Sequence, residues 1–259
     1  MKKFSISSAF LKNIAYLSMF IDHFFAVVFT VYIQWSAAQG VYIDSAQSIY
    51  YTGRAVGRVA FILFAFMAAE GFCHTHSAGK YLLRLGIFAL LSEIPFDLAI
   101  HNTFLETGGQ NVYFTLFLGV AALFFIDKLR GHLILQMLGV LLCCALAVFL
   151  KTDYMIMGVL LIVTFYLFRE IFWLKAAAGS IVIYFGTVLY YMFTFPHRSA
   201  LPVSVYFQAA ELELCGLFAF IFIYYYNGSK GRQLPKMFYY SFYPLHLLLL
   251  YGIKLWLFV

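Results

Sequence analysis

The chain has 259 residues, of which 64% are hydrophobic, 21% aromatic and only 11% charged. A soluble domain carries about 25% charged residues, so this apolar excess cannot fit inside one water-bounded core and most of it must face lipid. The net charge of +6 does not mark a nucleic-acid binder, because Lys and Arg collect in alternate short connections, the positive-inside pattern.

Windows of about 17–25 residues predict an all-α, polytopic integral membrane bundle of about nine transmembrane helices, over roughly 11–35, 53–74, 80–100, 111–127, 132–150, 154–169, 172–195, 203–226 and 236–258. Lys2, Lys3 and Lys12 flank the start, and Lys80, Lys128, Arg130, Arg169, Lys175, Lys230, Arg232 and Lys236 fall in every second connection. The other connections hold little beyond Arg54, Lys151 and Arg198, which puts the N-terminus in the cytoplasm. No cleavable signal peptide is expected, since the first apolar segment is too long and lacks a small-residue cleavage site. Residues 1–259 read as a single membrane-embedded domain. Cys73, Cys143, Cys144 and Cys215 have neither metal-ligand nor disulfide spacing, and no metal site is expected.

The first span carries Lys12, Asp22 and His23 in an otherwise apolar stretch. Ionisable groups inside a membrane helix are costly and usually mark a site or a pathway. Eleven residues at 100° each bring Lys12 and His23 to within about 20° of one face, about 16 Å apart along the axis. Adjacent Asp22 is the candidate catalytic partner that would orient His23, though it points about 100° away, which weakens it as a direct partner. The second span opens with Gly53 and Gly57, a small-xxx-small pair that lets another helix approach closely, and carries Arg58 and Glu70. The third carries Arg84 near one end and Glu93 and Asp97 near the other. Depth counting at 1.5 Å per residue predicts two ion pairs between these antiparallel helices, Glu70 with Arg84 and Arg58 with Asp97. The fourth span opens on Gln110 and Asn111, a polar start that either lines a cavity or caps the helix. In the last span His246 falls about 15 Å deep, level with His23. Pro244 frees a carbonyl beside it, and Tyr243 lies on roughly the same face. A shared His23–His246 site is expected.

The segments KNIAYLSMFIDH, GRVAFILFAFMAAEGFCHT, YLLRLGIFALLSEIPFDLA, QNVYFTLFLGVAAL and YPLHL together resemble the TraX family of membrane acetyltransferases. The resemblance covers the first half in order and then the last helix; residues 132–235 carry no matching motif. The family takes its name from a protein that N-acetylates the pilin of a conjugative plasmid. It is grouped with the acyltransferase-3 proteins and lysosomal heparan-glucosaminide acetyltransferase. The Lys12-x10-His23 spacing is similar to the Arg/Lys-x10-His motif of the acyltransferase-3 group, in which the His is catalytic, so the resemblance implies His23 as the catalytic residue.

The resemblance also implies a single acyltransferase domain with acetyl-coenzyme A as donor and an amine or hydroxyl of an envelope substrate as acceptor. That acceptor is a protein N-terminus, a sugar or a glycolipid. The expected partners are the coenzyme A thioester, the acceptor and the lipid bilayer of a bacterial inner membrane, with homodimerisation left open and no nucleic acid. Coenzyme A is a cytosolic polyanion, so Lys12, Lys80 and Arg84 are candidate phosphate contacts. Asn111, Tyr243 and His246 are candidate oxyanion donors. The competing reading is a proton-coupled transporter or flippase with Asp22, His23 and His246 as a relay; it would need internal symmetry, which the sequence lacks.

Overall fold

The computed structural model describes residues 4–194 and 210–258, with the side chains of 193 and 194 also outside the description. Among the described residues the chain is all helix, with two isolated bridges and no strand. Nine helical segments correspond to the nine predicted spans. Four of them, Ser8–Ala38, Ala46–Cys73, Phe172–Met192 and Lys236–Phe258, are long and apolar enough to cross a membrane. Val112–Lys128 and Leu133–Phe149 have 17 residues each and Met155–Leu167 has 13. At 1.5 Å per residue the last of these extends about 20 Å, less than the roughly 30 Å of a hydrocarbon core. The start of the predicted 203–226 span, and Arg198, lie outside the described residues. Its described remainder is helical over 210–214, passes through a 3₁₀ turn, Cys215–Phe218, and continues as Ala219–Tyr225.

The described residues divide into two compact units. The first contains residues 1–63, 91–106 and 215–259, and the second residues 64–90 and 107–214. In the first unit the first helix is α-helical over Ser8–His23, widens into a π-helical turn over Phe24–Phe29, and resumes as α-helix over Thr30–Ala38. The third helix, Ala78–Phe96, ends in a second π-helical turn, Asp97–His101. Both turns pack against the last helix, Lys236–Phe258. Such turns bulge a helix outward and concentrate at functional sites, and the first begins directly after His23.

The Gly53–Gly57 expectation holds. A Cβ on Gly53 would fall 2.0 Å from the Phe25 ring, and one on Gly57 would fall 2.2 Å from the Asp22 carboxylate. The first helix therefore lies directly on this glycine pair, a backbone approach that no larger residue permits.

In the second unit the fourth, fifth, sixth and seventh helices pack mainly through apolar side chains. Asn111 caps the fourth helix: its Oδ1 accepts from the Tyr113 N–H at 3.0 Å, and its Nδ2 donates to the Ala89 carbonyl at 2.8 Å. Of the two alternatives for this polar start, capping is the one observed. One turn on, the Thr115 hydroxyl donates to the Asp153 carbonyl.

Both predicted ion pairs between the second and third helices are absent. Asp97, fully buried, accepts from the Glu106 N–H at 2.9 Å and not from Arg58. Glu70 lies 3.5 Å from His74 on its own helix, while the Arg84 guanidinium sits 5.8 Å from the centroid of the Tyr81 ring. Depth counting fixes height along a helix but not the direction in which a side chain points. For Arg58 the origin of the count was also displaced. The helix begins at Ala46, seven residues before the predicted 53, so Arg58 sits about 18 Å along it and not near its end.

Candidate functional site

The partner of Arg58 is Asp22. Its guanidinium donates to Asp22 Oδ1 at 2.6 Å, while Arg54, one turn earlier, donates to Oδ2 at 2.7 Å and to the Asp22 carbonyl at 3.3 Å. Arg58 Nε closes the cluster on the Arg54 carbonyl at 3.2 Å. One carboxylate thus holds two guanidiniums, among side chains that are only 21% (Arg54), 9% (Arg58) and 12% (Asp22) exposed. Charge pairs with this little water contact are strong interactions, and removal of either partner is costly. Arg54 was not singled out as a site residue from the sequence. The available signal was its i, i+4 spacing to Arg58, alongside the glycine pair that brings Asp22 within reach.

With Asp22 committed to the arginines, His23 is free to face the last helix. Its Nδ1 lies 2.8 Å from Nε2 of His246, and the other nitrogen of His246, Nδ1, lies 2.8 Å from the Phe242 carbonyl. The carbonyl can only accept, so His246 carries its proton on Nδ1. For neutral imidazoles His246 Nε2 is then an acceptor, and His23 must donate to it from Nδ1. The chain of bonds leaves the lone pair of His23 on Nε2, to which no described residue donates. Geometry alone thus selects the tautomer in which His23 keeps a lone pair on Nε2.

Aromatic rings hold the pair. Phe242 stacks on His246 at 5.2 Å and 16°, and the Tyr243 ring lies 5.9 Å from His23 and 5.6 Å from His246. Three helical turns before His23, Lys12 also faces the last helix, its Nζ 4.4 Å from the centroid of the Tyr239 ring and 2.9 Å from Gln233 Oε1. Between them Tyr16 donates to the Tyr239 carbonyl at 2.7 Å and stacks on that ring at 5.6 Å. The predicted stripe from Lys12 to His23 is therefore real, and it is read by Tyr239 and His246, themselves seven residues apart on one face. The backbone at Ser8 and Ala9 donates to the carbonyls of Ser229 and Lys230, which fastens the 226–235 connection to the start of the stripe.

The structure assembles Lys12, Asp22, His23, Arg58, Tyr243 and His246, with Arg54, in the first unit. The other residues singled out from the sequence, Glu70, Lys80, Arg84 and Asn111, belong to the second. No group of three or more His, Cys, Asp or Glu side chains suited to a metal ion occurs among the described residues.

Comparison with known proteins matches this chain over residues 7–254 to the family model described as TraX protein. It is 30% identical to a probable fimbrial assembly protein FimC, serogroup H1, of Dichelobacter nodosus, over 96% of this chain and 97% of that protein. No solved structure matches. A membrane bundle whose first and last helices join through His23 and His246, matched over nearly its whole length, belongs to the TraX family.

Proposed function

We propose that this protein is a membrane-embedded acetyltransferase, moving the acetyl group of acetyl-coenzyme A to an amine or hydroxyl of an envelope substrate with His23 as base. The observation that carries this reading is the bond between His23 Nδ1 and His246 Nε2 at 2.8 Å, which leaves His23 Nε2 as the acceptor. The acceptor's nitrogen or oxygen attacks the thioester carbonyl carbon as Nε2 takes its proton. The tetrahedral adduct then collapses, the C–S bond breaks, and the departing thiolate takes the proton back from His23. A base so placed contributes about 10²–10⁴-fold. The Asp22–Arg54–Arg58 cluster fixes the first helix against the second and so holds His23 in position. Family membership and the fimbrial assembly name of the relative support an envelope protein as acceptor.

The test is transfer of labelled acetyl from acetyl-coenzyme A to an envelope fraction by the purified protein, with thiol release followed in parallel. Labelled acceptor accumulating with stoichiometric thiol is the expected result. Absence of both, alongside proton-driven solute uptake into liposomes, would replace catalysis with transport.

A further inference from the structure

A cleft of about 720 Å³ is lined entirely by residues of the second unit. They come from the turn between the second and third helices, the end of the fourth helix and the end of the sixth. Its volume lies in the roughly 300–1,000 Å³ range of sites that take a whole small molecule. Its positive charge comes from Lys128, Arg130 and Arg169, with Asp127 as the carboxylate in the lining. The cations lie on the aromatic rings of the same cleft. Lys128 Nζ is 5.8 Å from the centroid of the Phe124 ring, and the Arg169 guanidinium is 5.3 Å from that of Tyr166. A ring face attracts and holds a cation, and a face so used is not offered to a stacking heterocycle. The rings therefore serve to place positive charge, and the cleft suits an oxyanion.

One carboxylate steadies each arginine: Arg130 donates to Asp127 at 2.5 Å and Arg169 to Glu170 at 3.0 Å. A guanidinium has several N–H donors in a planar fork, so each keeps others for a ligand and matches phosphate oxygens two at a time. Beside them in the lining the third helix begins at Ala78. Ser77 Oγ accepts from the Lys80 N–H at 3.4 Å, while the N–H groups of Ala78 and Gly79 have no partner among the described residues. The space at Gly79 is open, since a Cβ there would meet nothing within 4 Å. These donors add to the cations in favouring an anion.

We propose that this cleft binds the phosphate headgroup of an anionic phospholipid, with its phosphate oxygens on Lys128, Arg130 and Arg169. The cleft lies where membrane helices end, in connections that the positive-inside pattern assigns to the cytoplasmic side. Lipid headgroups stand at that level, and basic pockets between helix ends there are suited to them. The volume leaves room for the polyol that such a headgroup carries beyond its phosphate. A zwitterionic headgroup fits less well, because its ammonium would meet the same three cations. A soluble phosphate ester shares the phosphate chemistry and is separated from the lipid by competition. The site stands independently of the acetyl-transfer reading.

Calorimetric titration of the full-length protein in uncharged detergent tests the assignment, with short-chain phosphatidylglycerol, short-chain phosphatidylcholine and inorganic phosphate as probes. Phosphatidylglycerol should bind saturably, about tenfold or more tighter than phosphatidylcholine. The K128Q/R130Q/R169Q variant should lose that preference. All three side chains are exposed, so its melting temperature without lipid should match the wild type. The K230Q/R232Q variant removes two exposed cations of the first unit and should keep the preference. Equal binding of the two lipids by the wild type would overturn the proposal. So would loss of the preference in both variants alike, which would reduce it to general surface charge. Inorganic phosphate that binds with the same dependence on the three cations, and is not displaced by phosphatidylglycerol, would give the cleft to a soluble phosphate ester and overturn the lipid assignment.

Discussion

The two units bury different kinds of side chain. Among the described residues the first encloses Asp22, Arg58, Asp97, His246 and Lys254, each 9% exposed or less, whereas in the second the buried Lys, Arg, Asp, Glu or His side chain is Lys175. Lys175 has the Phe66 ring 5.1 Å from its Nζ, with the Glu70 and Glu170 carboxylates acting on it from farther off, as a long stem allows when it covers apolar surface. The buried charges of the first unit instead interlock: two arginines close on one aspartate, and Lys254 donates to Asn102 Oδ1 and the Ala99 carbonyl. Polar networks of this kind are expensive unless every member is satisfied, and Asp97, whose Oδ1 is buried without a hydrogen-bond partner, stands outside this one. The second unit, held by apolar packing and caps, needs no such network to fold.

This contrast is broken or sharpened by substitution, and the largest effect is expected at Asp22. Asp22→Ala leaves two guanidiniums without their carboxylate and should cost about 3–5 kcal/mol, read from unfolding in mixed micelles. A loss below 1 kcal/mol would mean that solvent already screens the cluster. Next comes Gly57→Ala, where the new methyl would lie 2.2 Å from Asp22 Oδ1. Displacement of the first helix should cost about 1–3 kcal/mol and reduce turnover with it. His246→Phe removes the acceptor for the His23 Nδ1 proton but keeps an aromatic ring. Turnover should fall about tenfold, the value of one such hydrogen bond, with KM steady and the pH profile shifted; an unchanged profile would reduce His246 to packing. Smallest is Gly252→Ala in the last helix, where a Cβ meets nothing within 4 Å. It should raise stability by at most about 1 kcal/mol through helix propensity and leave turnover alone.

Much of the fold was legible because lipid imposes a simple rule, that each span is long and apolar. The boundary that mattered most was not legible. AQSIYYT, residues 46–52, is polar enough to read as loop, yet it forms the first turns of the second helix. That displacement carried Arg58 away from Asp22 in the depth count and toward Asp97. The histidine pair was legible, because two ionisable groups at equal depth on the first and last helices have few alternatives to each other. The π-helical turns were not: a widened turn depends on how neighbouring helices pack, and Phe24–Phe29 has no residue that marks it. Nor were Tyr239 and Gln233 legible as the contacts of Lys12, since aromatic and amide residues are common at helix ends.

The central claim is that His23 Nε2 is the base, and its direct measurement is acetyl-coenzyme A turnover by the purified protein against His23→Ala at matched folding. A fall of about 10²–10⁴-fold, with coenzyme A binding intact, is the predicted result. Full turnover by the variant would contradict the account.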